Sequence, residues 1–126
     1  MKTITAVLLC AFWCSGVQAG ERLSAADLKE LYSGNTVTGV HFKHGPGRVY
    51  YSEDGSVVSN SDSGKTRSGK WWIDAKTDTR CVRWDHMDKD LCHYTEKNED
   101  GTYSLINAKN GKELVRMNEV QAGNQL

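Results

Sequence analysis

The chain lacks any long hydrophobic run beyond its start. Its one extended apolar stretch covers residues 4–13 and is shorter than the roughly 20 apolar residues that a membrane-spanning helix needs. This stretch follows a charged residue, Lys2, and precedes a small-residue ending at 17–19. We therefore expect a cleaved signal peptide over residues 1–19, a periplasmic or secreted protein, and no membrane span.

The chain also lacks a surplus of either charge. It has 126 residues, with 16 lysines and arginines against 16 aspartates and glutamates, so its net charge is zero. Nucleic acids and anionic membranes are usually bound by a basic surplus, and we expect neither as a partner. Residues 20–126 are enough for a single domain and too few for two.

Cysteine is scarce once the predicted signal peptide is set aside. Cys10 and Cys14 lie within residues 1–19, and only Cys81 and Cys92 remain. An even pair in an exported protein predicts a disulfide bond, whereas the same pair in the cytosol would suggest metal or redox chemistry. We expect this bridge to close a short loop across a hairpin.

Only one segment has the pattern of a helix. Ser24 can cap its N-terminus, and Asp27 stands three residues later, which is the spacing of a capping box. Leu23 and Leu28 occupy the positions of a hydrophobic staple, and Gly34 ends the segment. Such a short helix is marginal alone, so its leucines must pack against the rest of the domain.

The remainder of the chain is typical of short strands separated by turns. We expect a mainly β domain, a small antiparallel β-barrel or sandwich of about eight strands, behind one short N-terminal helix. Glycine, asparagine and aspartate between the strands favour tight hairpins and therefore a meander. The predicted strands cover residues 36–43, 48–52, 56–60, 69–74, 80–85, 91–96, 103–107 and 113–117.

Three segments are expected to lie outside the strands. Residues 45–47, with the sequence Gly-Pro-Gly, predict the turn between the first two strands. Residues 60–68 form the longest polar stretch and predict a mobile surface loop. From about residue 118 we expect a loosely held tail at the end of the domain.

The cysteine pair sets a register for its hairpin. If Cys81 lies opposite Cys92, the other facing residues of the hairpin follow from this pair. On two antiparallel strands the residue numbers of facing partners always add up to the same value. The neighbouring partners are then Val82 with Leu91 and Arg80 with His93. The face expected toward the core carries Val82, Trp84, Leu91 and His93.

Two adjacent tryptophans should lie on opposite faces of one strand. Trp71 and Ile73 alternate with Lys70 and Trp72, so one tryptophan is expected to be buried and the other partly exposed. An exposed tryptophan on a strand is a candidate contact for a partner. The alternative is that Trp72 merely covers the mouth of a barrel.

Several short motifs follow one another in an informative order. They are Gly34-Asn35-Thr36-Val37-Thr38-Gly39, Tyr50-Tyr51 before Asp54-Gly55, Gly69-Lys70-Trp71, Cys81, Cys92 and Gly123-Asn124. In this order they resemble the bacterial exported family called domain of unknown function 995, over nearly all of the chain after residue 19. The resemblance implies a small periplasmic β-rich domain with a calycin-like fold, and it carries over no catalytic residues. Arg80 departs from it, since a more apolar residue is expected before Cys81.

Signals for catalysis are few in this sequence. There is no Gly-x-Ser-x-Gly motif, and the acidic residues at 85–90 are typical of a solvated turn. His41, His44 and His86 could hold a metal ion if the fold brought two hairpin ends together. Residues three apart in a strand point to opposite faces, so His41 and His44 can share a metal only where the chain has turned.

Two classes of function remain. The first, which we favour, is a non-catalytic binding module for a small apolar ligand or an envelope protein, with no catalytic residues and no cofactor. The alternative is a metal-dependent enzyme or metal-binding factor that uses the three histidines His41, His44 and His86. Contacts to a ligand or partner are expected from the aromatic residues Tyr50, Tyr51, Trp71, Trp72 and Trp84.

Overall fold

The structure is a computed structural model that describes residues 20–126. The predicted signal peptide at residues 1–19 lies outside the described residues and stays a prediction. The described chain forms one helix, α1 (Ala25–Tyr32), and nine strands. The strands are β1 (Gly20–Arg22), β2 (Asn35–His41), β3 (Gly45–Tyr51), β4 (Ser56–Ser61), β5 (Thr66–Asp74), β6 (Thr79–Trp84), β7 (Leu91–Asn98), β8 (Tyr103–Asn107) and β9 (Glu113–Ala122).

Eight of the strands close into an antiparallel barrel. From β2 to β9 each strand pairs with the next along the chain, and β9 pairs back with β2, where Val37 faces Val120. The short β1 lies outside this ring and pairs with the end of β7, where Arg22 faces Glu96. The fold is therefore a barrel and not a sandwich, and the predicted mainly β class with one short N-terminal helix is confirmed. Within residues 20–126 no helix has the length and apolar character required to cross a bilayer.

Helix α1 closes one end of the barrel, which we call the closed end. Hairpin turns alternate between the two ends of a meander, and α1 lies at the end where β2 begins. Leu28 and Tyr32 are fully buried there, and the Tyr32 hydroxyl lies 2.8 Å from Oγ1 of Thr95 on β7. Ser24 and Asp27 form the predicted capping box at the start of the helix. The helix supplies the apolar contacts that a ring of strands lacks at its end.

The predicted turn at residues 45–47 is wrong. Residues 42–44 make the turn, and Pro46 lies within β3, opposite Val40. The Pro46 carbonyl accepts a hydrogen bond from the backbone N–H of Asp62, just past the end of β4. In a strand, the backbone nitrogen and carbonyl of one residue point toward the same neighbouring strand. The nitrogen of Pro46 therefore points toward β4, which ends at Ser61. The missing N–H of proline thus removes no hydrogen bond between the two strands.

The predicted surface loop at residues 60–68 is also wrong. Strand β4 continues to Ser61 and β5 begins at Thr66, so residues 62–65 alone make the turn. These strand ends are polar because one of their faces meets solvent and the other meets a cavity inside the barrel. Polar composition therefore does not mark a loop at this hairpin.

The segment from residue 118 is held more firmly than expected. Strand β9 continues to Ala122 and is paired with β2 to that residue. Beyond it, Oγ1 of Thr36 donates a hydrogen bond to the Gly123 carbonyl at 2.7 Å and accepts one from the Gln125 N–H at 2.9 Å. The end of the chain is thus fastened to the start of β2 at the closed end.

The cysteine pair forms the predicted disulfide bond, and the register of its hairpin is confirmed. Cys81 faces Cys92 across β6 and β7. The neighbouring partners are Val82 with Leu91 and Arg80 with His93. On β5, Trp71 is buried and Trp72 is 38% exposed, as their alternation predicts. The register therefore directs Arg80 and His93 to the inside of the barrel.

Replacing both Cys81 and Cys92 by alanine should lower the free energy of unfolding by about 3 kcal/mol, because the bridge closes a short loop in the unfolded chain. The measurement is urea denaturation of the two proteins without reductant. A reductant should shift the midpoint of the unreplaced protein and leave that of the double variant where it is. Equal stabilities of the oxidised protein and the variant would contradict this role.

Candidate functional site

The barrel encloses a cavity of about 530 Å³ that opens at the end opposite α1, which we call the open end. The turn at residues 42–44, the β4–β5 turn and the β6–β7 loop border the opening. The apolar part of the wall includes Val37, Val49, Val82, Leu105, Val115 and Met117. A volume of this size is typical of sites for small organic molecules.

Small residues on the inner face explain why the barrel is hollow. Gly39 and Gly47 face each other across β2 and β3 and both line the cavity. A Cβ atom at Gly39 would lie 2.6 Å from the Arg116 carbonyl oxygen, and one at Gly47 would lie 2.8 Å from that of Asn60. A side chain at either position would collide with the backbone of the neighbouring strand, so only glycine fits. No side chain therefore projects into the cavity from these two positions.

Aromatic rings fill the closed end and form the base of the cavity. The ring of Tyr51 lies 4.7 Å from that of Tyr32 and 5.3 Å from that of Trp71, measured between centroids. The indole N–H of Trp71 donates a 2.8 Å hydrogen bond to the Ser52 carbonyl. Tyr51 is the member of this cluster that lines the cavity.

A buried arginine lies at this base. Arg80 is only 4% exposed, lines the cavity, and its guanidinium carbon is 5.9 Å from the ring centroids of both Tyr32 and Tyr51. Its Nη2 lies 3.3 Å from Nδ1 of His93, and its Nε has no hydrogen-bond partner among residues 20–126. The described ion pairs join Arg83 to Asp90 and Arg116 to Glu113, so none of them neutralises Arg80.

The groups around Arg80 are uncharged. Burial, the Arg80 charge and the more distant His41 lower the pKa of His93 to about 3, so its imidazole is neutral at physiological pH. A neutral ring can accept the Arg80 hydrogen bond at Nδ1 when its proton is on Nε2. Burial also raises the pKa of Tyr32 and Tyr51, and both phenols stay protonated. Within residues 20–126, no negatively charged side chain therefore compensates the Arg80 charge.

Other basic residues line the cavity toward the open end, and no aspartate or glutamate does so among residues 20–126. Arg67 is half-buried on β5, whereas Lys43 and Lys65 are exposed. The acidic residues at 85–90 are exposed and outside the cavity. The interior is therefore positive, although the whole chain has no net charge.

Two of the three histidines proposed as metal ligands lie together at the opening. The turn brings the rings of His41 and His44 to 4.4 Å, and Nδ1 of His41 accepts the backbone N–H groups of Lys43 and His44 at 3.0 and 3.2 Å. Burial, followed by the charges of His44, Arg67 and Lys43, lowers the pKa of His41. His86 is not part of this cavity, and residues 20–126 contain no group of three metal-ligating side chains.

The structure distributes the predicted aromatic contact residues over different surfaces. Tyr51 and Trp84 line the cavity, at its base and near its opening, and Trp71 lies behind Tyr51. Tyr50 and Trp72 alternate with inward-facing neighbours and lie on the outer face. Sequence reasoning placed Arg80 opposite His93 but assigned it no role. Arg80 and Val82 are two positions apart on one strand and therefore share a face. The expected burial of Val82 could thus have predicted a cation inside the barrel.

In comparisons with known proteins, no protein-family model, no curated protein and no solved structure matched the chain. The resemblance to domain of unknown function 995 stays a prediction. The chemistry of the cavity is therefore the basis for assigning a function.

His93→Gln should flatten the acid side of the stability curve. The pKa of His93 is about 6.5 in the unfolded chain and about 3 in the folded protein, so the unfolded state binds more protons between these values. Stability should fall as the pH decreases from about 6.5 to 3, by an amount on the order of 4 kcal/mol from this group. Urea titrations across this range provide the measurement.

Three carboxylates that titrate in both proteins serve as the control for His93→Gln. Asp54, Asp100 and Glu113 also have lowered pKa values, and they cause an acid loss of stability that both proteins share. Only the difference between the two curves reports on His93. Parallel curves would mean that His93 is not held neutral by the fold.

Proposed function

We propose that this protein is a non-catalytic binding module that holds one small, largely apolar ligand inside the barrel. The observation that carries the proposal is the cavity of about 530 Å³, closed by α1 at one end and open at the other. Its wall exposes more apolar than polar surface, with valine, leucine and methionine among the residues that supply it, and burying an apolar chain against such a surface is favourable by about 25 cal/mol per Å². The opening gives a ligand a route to this wall.

The ionisable groups of the cavity suit binding better than acid–base catalysis. A general base works best with a pKa near the operating pH, and the pKa of His93 is far below that range. Nδ1 of His41 is already occupied by two backbone N–H groups. These two histidines are therefore poor candidates for proton transfer near neutral pH.

The outer face offers a weaker basis for a protein partner. Trp72 is 38% exposed on β5, and the more exposed Phe42 and Val40 lie away from it in the turn at residues 42–44 and on β2. Scattered exposed apolar residues of this kind are common on monomeric proteins. The cavity combines volume, an apolar wall and an entrance. We therefore place the principal function inside the barrel.

We also propose that the protein works in an oxidising compartment, as a periplasmic or secreted protein. The Cys81–Cys92 bridge supports this location, because disulfides persist in such compartments and are rare in the cytosol. The signal-like pattern of residues 1–19 favours the same location.

Filling the cavity should abolish binding of a neutral apolar probe. Ser59 lines the cavity from β4, and Ser59→Phe places a ring in the empty space. We expect decanol to bind the unreplaced protein with one-to-one stoichiometry, and the variant to bind it at least about tenfold more weakly. Calorimetry measures the affinity, and a change in tryptophan fluorescence reports occupancy because Trp84 lines the cavity.

The matched control is Val58→Phe, which adds a ring at the adjacent position on the outer face of the same strand. It should leave decanol binding unchanged. Failure of decanol to bind the unreplaced protein, or equal loss of binding in both variants, would overturn the proposed site.

A further inference from the structure

We infer that the ligand carries one carboxylate, which binds the Arg80 guanidinium at the base of the cavity. This inference rests on the proposed function, since it names the chemical class of the ligand that the cavity takes. It assigns a role to a residue that the fold alone does not explain.

An arginine with 4% exposure is almost always paired with an acid, because taking its charge out of water is unfavourable. Here its described neighbours are the neutral His93 and the faces of two tyrosine rings. The rings attract the cation, but neither they nor His93 carries a negative charge, and Nε has no partner within residues 20–126. The site is thus complete only when an anion enters the cavity.

The described cavity wall has one buried positive charge, which favours a ligand with a single negative charge. Arg80 is the one fully buried cation of the described cavity wall, and the lowered pKa of His93 keeps the adjacent imidazole neutral. One carboxylate would balance Arg80, whereas a phosphate dianion would leave a negative charge buried without a partner. The planar fork of a guanidinium also matches the two oxygens of a carboxylate.

The cavity wall fixes the direction in which such a ligand lies. Arg80 is near the closed end, and apolar side chains, among them Val82 and Leu105, line the wall between it and the basic residues near the opening. A carboxylate at Arg80 therefore places the hydrocarbon chain along this wall, with its end near Trp84 and Met87. Lys43, Lys65 and Arg67 around the opening attract an anion before it enters.

The test compares two probes of equal length, decanoate and decanol, in calorimetric titrations at pH 8. The protein should bind decanoate roughly 10- to 100-fold more tightly than decanol, because only decanoate forms charge-assisted hydrogen bonds with Arg80. In Arg80→Met this preference should disappear while decanol binds as before. In Arg80→Lys, which keeps the charge without the fork, part of the preference should remain.

The matched control is Arg67→Met, which removes a half-buried arginine that lines the same cavity on β5 near the opening. It should slow the association of decanoate but keep most of its preference over decanol. A third probe, decyl phosphate, should bind more weakly than decanoate at this pH, where it is a dianion.

The outcomes separate the two proposals. Equal binding of decanoate and decanol would overturn the inference about Arg80 while the cavity remains a ligand site. A preference that survives in Arg80→Met, is lost in Arg67→Met, or favours decyl phosphate would likewise overturn it. Binding of neither decanol nor decanoate would overturn the proposed function itself.

Discussion

The pairing of β9 with β2 is the constraint on which the rest of this molecule depends. It closes the ring of strands, so that their backbone groups find partners without an exposed edge and the sheet does not need a second layer. The interior can then be divided into two parts. At one end α1 and its aromatic neighbours form a packed core around Tyr32 and Tyr51, and at the other the inner wall is left open.

Arg80 lies at the boundary between these parts, and its position gives the cavity its chemistry. The packed aromatic cluster shields it from water, while the open part leaves it reachable by a ligand. The neighbouring His93 is kept neutral by burial and by Arg80 itself, so no group in the part of the chain that the structure describes offsets the charge. A hollow apolar barrel would accept many oily molecules, whereas a buried cation at its base favours an anionic end group.

Much of the fold could be predicted because turn residues and the cysteine pair are explicit signals. Cys81 and Cys92 fixed a register that also placed Arg80 on the inner face. The errors occurred where the inner face meets the cavity. The sequence predicts a loop at the β4–β5 hairpin because strands between solvent and an open cavity need no apolar alternation. It predicts a turn at Pro46, although proline is tolerated in β3 at this position, where β4 on one side has already ended. Whether a barrel is filled or hollow depends on side-chain volumes across several strands, which no short motif encodes.

A crystal structure of the protein with decanoate would test the central claim most directly. The account predicts one decanoate inside the barrel, with its carboxylate oxygens about 3 Å from the Arg80 guanidinium nitrogens and its chain directed toward the opening beside Trp84. A decanoate bound with its carboxylate at the opening and its chain against Tyr51, or bound only on the outer face, would contradict it.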